Sequence, residues 1–102
     1  MVDIHELERE RFAWALKTFP NATTIGSVDK LIDEAKEIRE DLVNGTPRVD
    51  EFADVLFMLF DAGGRVGFTP SDIFEAAAQK FEVNKSRTWS DNENGSYSHI
   101  KC

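Results

Sequence analysis

Two acidic pairs lie in the middle of the chain, Glu34-Ala35-Lys36-Glu37 and Glu51-Phe52-Ala53-Asp54. Within each pair the carboxylates are three residues apart, so on a helix they share one face, about 60° apart around the axis. Like charges at that spacing repel, yet the arrangement occurs twice. Two such helices placed face to face gather four carboxylates in one pocket, and hard divalent cations take oxygen ligands of this kind. Mg²⁺ accepts carboxylates, keeps some of its waters and commonly bridges to substrate phosphates. A second ion clamps attacking and leaving oxygens, and a carboxylate not fully used as a ligand orients or deprotonates the attacking water. The competing reading is a pair of solvated helix faces, as acid runs commonly are. Glu51 and Asp54 resist it more, because they open a helix that is otherwise almost wholly apolar. Asp61, seven residues beyond Asp54 and nearly eclipsed with it, is a further candidate on that face.

A second group has the opposite charge. Lys80, Asn84 and Arg87 recur at i, i+4 and i+7, and Trp89 follows. Read alone, this is a solvated helix end whose cations suit the C-terminal dipole. Opposite a metal pocket it is a phosphate clamp, with metal on one side and Arg and Lys on the other. Trp14, Trp89 and the eight phenylalanines are read first as core. His5 and His99 are isolated and take no role. There is no Ser-His-Asp set, Gly-rich phosphate loop or Cys/His zinc pattern.

Four helices must position these groups. The first runs from Asp3, its cap, to about Thr18, and Phe19-Pro20-Asn21 breaks the pattern. Asn21 to Gly26 reads as a loop. The second helix runs from about Ser27 to Val43, with Val28, Leu31, Ile32, Ala35, Ile38 and Leu42 as its apolar stripe. Glu34, Glu37 and Asp41 line one edge of it. Asn44-Gly45-Thr46-Pro47 stops it. The third helix, about Val49 to Arg65, is apolar nearly throughout from Phe52 to Phe60 and is expected to be central and buried on most sides. Gly63-Gly64 and Gly67 loosen and end it. The fourth opens at Thr69 with Pro70 in its first position, and turns Ile73, Phe74, Ala77 and Phe81 inward. Residues 1–89 thus form one all-α domain. From Ser90 onward the composition is that of a polar loop or loose tail, with Tyr97 to Ile100 a candidate for a short extended segment. No strand pattern is long enough for a sheet.

With 102 residues the chain holds one domain, and sharing helices with a second subunit would help it bury a core. A net charge of −7 argues against binding nucleic-acid polymers, which need a surplus of Lys and Arg. It leaves room for a small phosphorylated ligand held through a metal. Cys102 is the sole cysteine, so no intrachain disulfide can form, and a reducing cytoplasm is expected. Met1 to Glu10 is dominated by charge and does not resemble a secretory leader. The longest apolar run, Val55 to Phe60, is too short to span a bilayer.

The order Glu34-x-x-Glu37, a gap, then Glu51-x-x-Asp54 resembles the MazG-like nucleotide pyrophosphohydrolases of the all-α nucleoside triphosphate pyrophosphatase superfamily. The segment Glu51 to Gly67, followed by Thr69-Pro70 and by Lys80-x-x-x-Asn84-x-x-Arg87-x-Trp89, is similar to a short phage and prophage branch that acts on dATP and dGTP. The resemblance covers about Phe12 to Trp89. It implies a four-helix, bundle-like MazG fold completed by dimerisation, as a homodimer or homotetramer. It implies Mg²⁺, or Mn²⁺, held by Glu34, Glu37, Glu51 and Asp54, with Asp61 as a further acidic member. It implies attack of water on a nucleoside triphosphate, with purine deoxynucleotides the indicated substrates, giving the monophosphate and pyrophosphate. Lys80, Asn84, Arg87 and Trp89 are the implied substrate-binding set. The alternative from the residues alone is a non-catalytic acidic helical module that dimerises through its apolar third helix.

Overall fold

The computed structural model describes residues 1–101, and Cys102 lies outside them. Four helices, α1 (Ile4–Thr18), α2 (Thr24–Val43), α3 (Val49–Arg65) and α4 (Pro70–Ser86), are followed by two short strands, β1 (Trp89–Asp91) and β2 (Tyr97–His99). The fold is all-α, as expected. The polar segment after Trp89 is an antiparallel hairpin with Ser90 opposite Ser98, and the extended stretch read at Tyr97 is its second strand.

Local chemistry explains the helix boundaries. Asp3 caps α1 by accepting from the backbone N–H groups of His5 and Glu6. Thr69 and Asp72 form a reciprocal capping box at the start of α4, with Pro70 in the first turn. The start of α2 differs from the expectation. Thr23, not Ser27, is the cap, its hydroxyl accepting from the Gly26 N–H at 3.0 Å. Gly26 therefore sits inside the first turn, and the preceding loop is correspondingly shorter.

Gly63 and Gly64 also play a different part. They lie within α3, which continues to Arg65. A Cβ at Gly64 would stand 2.9 Å from the Phe12 ring, and one at Gly63 3.1 Å from the Ile73 Cδ1. The missing side chains let α1 and the start of α4 close on α3. Gly67, at φ +92°, makes the turn out of the helix.

α2 lies along α3 in the most extensive helix contact, α1 crosses α3, and α4 leans on α1. Among the described residues Ala15, Phe60 and Ala62 are the buried apolar ones, and the Phe60 ring meets Phe74 edge-on at 5.9 Å. Helix α3 is not enclosed on most sides as expected. Phe60, Asp61 and Ala62 of it are buried, but Phe52 stays 52% exposed and Leu59 45%. Phe81, expected to point inward, is 60% exposed. The cause is the placement of α4, which covers α1 and leaves one face of α3 open within a single chain.

A buried charge network holds α1, α2 and α3 in register. Asp61 is 4% exposed. Its Oδ1 accepts from Arg11 Nη1 and Nη2, each at 3.2 Å. Its Oδ2 accepts from Arg65 Nε at 2.7 Å and from the Ser27 hydroxyl at 2.5 Å. Arg11 also forks onto buried Glu8, at 2.7 Å and 2.5 Å. Arg65 reaches back to the Ala22 carbonyl at 3.2 Å. Removing Asp61 leaves the largely buried Arg65 without its anion and Arg11 with Glu8 alone. Asp61→Ala is expected to destabilise the protein by about 3–5 kcal/mol, and Gly64→Ala, which overpacks against Phe12, by about 1–3 kcal/mol. Urea denaturation followed by circular dichroism measures both, and a loss under 1 kcal/mol for Asp61→Ala would contradict this role for the network.

Candidate active site

The short loop 44–48 folds α3 back along α2, so acids from the two helices meet. Helix α2 contributes Glu34, Glu37 and Asp41, and α3 contributes Glu51 and Asp54. Glu34 is 8% exposed and takes an ion pair from Lys30 Nζ at 3.3 Å. The charge of Glu34 and its hydrogen-bonding contact with Glu37 hold the Glu37 pKa above the ordinary value. Glu51 is pushed up to about 7, first by its hydrogen-bonding contact with Asp41, then by burial and the Asp41 charge. One oxygen of each member of that pair, Asp41 Oδ2 and Glu51 Oε2, is buried with no hydrogen-bond partner.

The acids are therefore coupled in two pairs, Glu34 with Glu37 and Asp41 with Glu51, and Glu37 also feels Asp41. Among the described residues no three such groups close tightly enough to hold an ion on protein atoms alone. Orphaned oxygens in an all-carboxylate donor set fit Mg²⁺ or Mn²⁺, which complete their shells with water and phosphate oxygens. Asp41 is the addition to the expected set. Its signal was present in the i, i+3, i+7 spacing with Glu34 and Glu37, but the short pair motif stops before it.

Asp61 lines the same cavity as Glu34 and Asp54 but differs from them in its partners. Burial favours its neutral form, but hydrogen bonds from Arg65 and Ser27 and the charges of Arg65 and Arg11 prevail and hold its pKa below the ordinary value. With both oxygens already bonded, it anchors the helices and offers no free donor.

A cavity of about 710 Å³ opens beside the acids. Glu34, Asp54, Lys30 and Ser27 form its polar side, and Trp14, Phe19, Phe57 and Met58 its apolar side. Trp14, read first as core, is 57% exposed at this wall with its ring edge-on to Phe19 at 5.4 Å. A second cavity of about 680 Å³, between α1 and the α3–α4 turn, has none of the paired acids in its lining.

The basic stripe lies elsewhere. Asn84 Oδ1 accepts from Arg87 Nη1 at 3.3 Å, and the Asn84 carbonyl accepts from Trp89 Nε1 at 2.9 Å. Trp89 meets His99 across the hairpin at 6.0 Å. Asn84, Arg87 and Trp89 thus form one unit at the end of α4. That helix makes no substantial packing with α2, and among the described residues no hydrogen bond or ion pair joins the stripe to the acids. One chain alone does not bring the two groups together.

The raised pKa of Glu51 has a stability consequence. A carboxyl whose folded pKa exceeds its unfolded value of 4.5 favours the folded state at low pH, and that contribution is lost as pH rises through about 7. In EDTA, the melting temperature should fall between about pH 5 and pH 8. Asp41→Asn should flatten the slope, and Mn²⁺ should raise the melting temperature most above pH 7, where both acids are ionised. Differential scanning fluorimetry across pH reads all three. A flat wild-type profile in EDTA would contradict the acid coupling.

The sequence profile of the dATP/dGTP pyrophosphohydrolase family matches residues 7–102. The dATP/dGTP diphosphohydrolase of cyanophage S-2L is 31% identical over 97 residues, which cover 95% of this chain and 88% of that protein. The dATP/dGTP diphosphohydrolase of Salmonella phage PMBT28 is 32% identical over 97 residues, or 95% of this chain, but this chain spans only 31% of that protein's length. Among solved structures, the cyanophage S-2L MazG-like pyrophosphohydrolase, bound to dGDP and three catalytic Mn²⁺ ions per active site, superposes with a TM-score of 0.78. It is 30% identical, and the match covers 99% of this chain and all of that one. The fold is therefore MazG-like, and the chain belongs to the dATP/dGTP pyrophosphohydrolase family.

Proposed function

We propose that the protein hydrolyses purine deoxynucleoside triphosphates, in a divalent-metal-dependent reaction, to the monophosphate and pyrophosphate. The observation that carries the reading is the convergence of acids from α2 and α3 beside a mostly apolar cavity, with two buried carboxylate oxygens left without partners. Glu34, Glu37, Glu51 and Asp54 would hold Mg²⁺ or Mn²⁺, with Asp41 beside them. When bound, the ions would supply Lewis acidity at the phosphoryl oxygens and lower the pKa of the attacking water.

The chain's own groups do the rest. Trp14, Phe19, Phe57 and Met58 offer apolar surface for a base, and the aromatic faces suit stacking. Glu34 and Asp54 on the same cavity set where the triphosphate must lie. The water oxygen bonds to the α-phosphorus, and the bond from that phosphorus to the α,β-bridging oxygen breaks. A carboxylate of the cluster takes the water proton, and pyrophosphate departs with the bridging oxygen. Lys80, Asn84 and Arg87, with Trp89 holding Asn84, contact the phosphates from a second copy of the chain in a homodimer or homotetramer. Their separation from the acids within one chain and the open face of α3 support that arrangement. Among the described residues no helix is long and apolar enough to cross a membrane, and the proposed site of action is the cytoplasm, where deoxynucleotides are found.

The test is pyrophosphate release from eight ribo- and deoxyribonucleoside triphosphates, with Mg²⁺, Mn²⁺ or EDTA. Release from dATP and dGTP that EDTA stops is the expected result. Glu37→Gln and Asp54→Asn should each lower turnover by about 10³-fold or more, with the helical circular dichroism retained. No release from any nucleotide by folded protein would leave a non-catalytic helical module as the reading.

A further inference from the structure

We propose that Lys30 is a substrate-binding cation that occupies Glu34 when no metal is bound and transfers to the nucleotide phosphates when metal takes its place. The proposal rests on the metal-dependent reading above. Three cationic side chains line the cavity beside the acids, Arg11, Arg65 and Lys30. Arg11 and Arg65 are locked onto Asp61, with side chains only 10% and 11% exposed. Lys30 is different. Its side chain is 58% exposed, and among the described residues its one ion-pair partner is Glu34, at 3.3 Å.

The pair is a poor device for helix stability. Lys30 precedes Glu34 by four residues, the less favourable order for an intrahelical pair. An exposed ammonium on a flexible stem contributes little as a surface salt bridge. As a local counterion it makes more sense. Its ammonium is held first by Glu34, with the charges of Glu37 and Asp33 adding to the pull. It thus stands against a carboxylate offered to the metal, and it lines the cavity that would take the substrate. When metal neutralises Glu34, the attraction holding Lys30 is gone. A phosphate arriving at the acid side of the cavity is then the nearest unpaired anion within reach of the lysine stem.

This exchange predicts opposite changes in two affinities. In the full chain, Lys30→Gln should bind Mn²⁺ more tightly without nucleotide, by about threefold or more, because a competing cation has been removed. The same variant should bind dGDP about tenfold more weakly in the presence of Mn²⁺, having lost a charge-assisted phosphate contact. Lys30→Arg should restore most of the dGDP affinity. Isothermal titration calorimetry reads both ligands directly, and a melting curve checks that the fold is kept. A residue with a purely structural part would move both affinities in the same direction. Unchanged or weaker Mn²⁺ binding by Lys30→Gln, or unchanged dGDP binding, would overturn the proposal. Because neither reading needs turnover, absence of pyrophosphate release by the wild type counts against the proposed reaction and leaves the Lys30 result readable.

Discussion

The arrangement of the helices depends on one buried carboxylate. Asp61 receives Arg11 from α1, Arg65 from its own helix and Ser27 from α2, and through Arg11 it is linked to Glu8. Few apolar side chains are enclosed, so a directional network has an unusually large share in fixing how the helices cross. Such a network adds less net stability than an apolar core of the same size, but losing one member is severe, because the remaining charges stay buried. It also fixes where the acids of α2 stand relative to those of α3. The cavity is a by-product of the same geometry, since Arg11, Ser27, Asp61 and Arg65 form part of its wall.

The acid cluster shows the opposite logic. Asp61 is buried, charged and fully satisfied, whereas Asp41 and Glu51 face each other with an oxygen apiece unmet. A fold selected for stability alone would separate those two groups or place a lysine between them. Keeping like charges in contact is the usual mark of a site that awaits a cation. The raised pKa of Glu51 expresses the same frustration, because the proton does what a cation would otherwise do.

Much of this was legible in the sequence, for physical reasons that vary by residue. The apolar period of α2 and the Thr69-Pro70 start of α4 are local signals and survive into the structure. The acidic pairs were legible because helical spacing alone sets which side chains share a face. Asp61 was not. Its period placed it with the acids, but only the fold shows that Arg11, fifty residues earlier, reaches it. Gly63 and Gly64 were misread for the same reason, since glycine within a helix signals either an end or a close neighbour, and Phe12 is distant in sequence. Thr23 takes the capping role assigned to Ser27, whose hydroxyl donates instead to Asp61, a residue distant in sequence. The hairpin after α4 was hidden by its composition, and its two strands are only three residues long.

The open face of α3 has a consequence for how substitutions in this protein should be interpreted. Phe52, Leu56 and Leu59 are exposed in the single chain, where surface changes are ordinarily near neutral. The second copy proposed above would cover that face and supply part of the folding free energy of a chain with few enclosed apolar residues. Folding and association would then be one linked equilibrium, and apparent stability would rise with protein concentration. Under that linkage, a polar substitution at Leu59 would act as a core mutation in concentrated solution and as a harmless one in dilute solution. Tolerance to mutation at these positions is therefore a property of the amount of protein present as much as of the sequence.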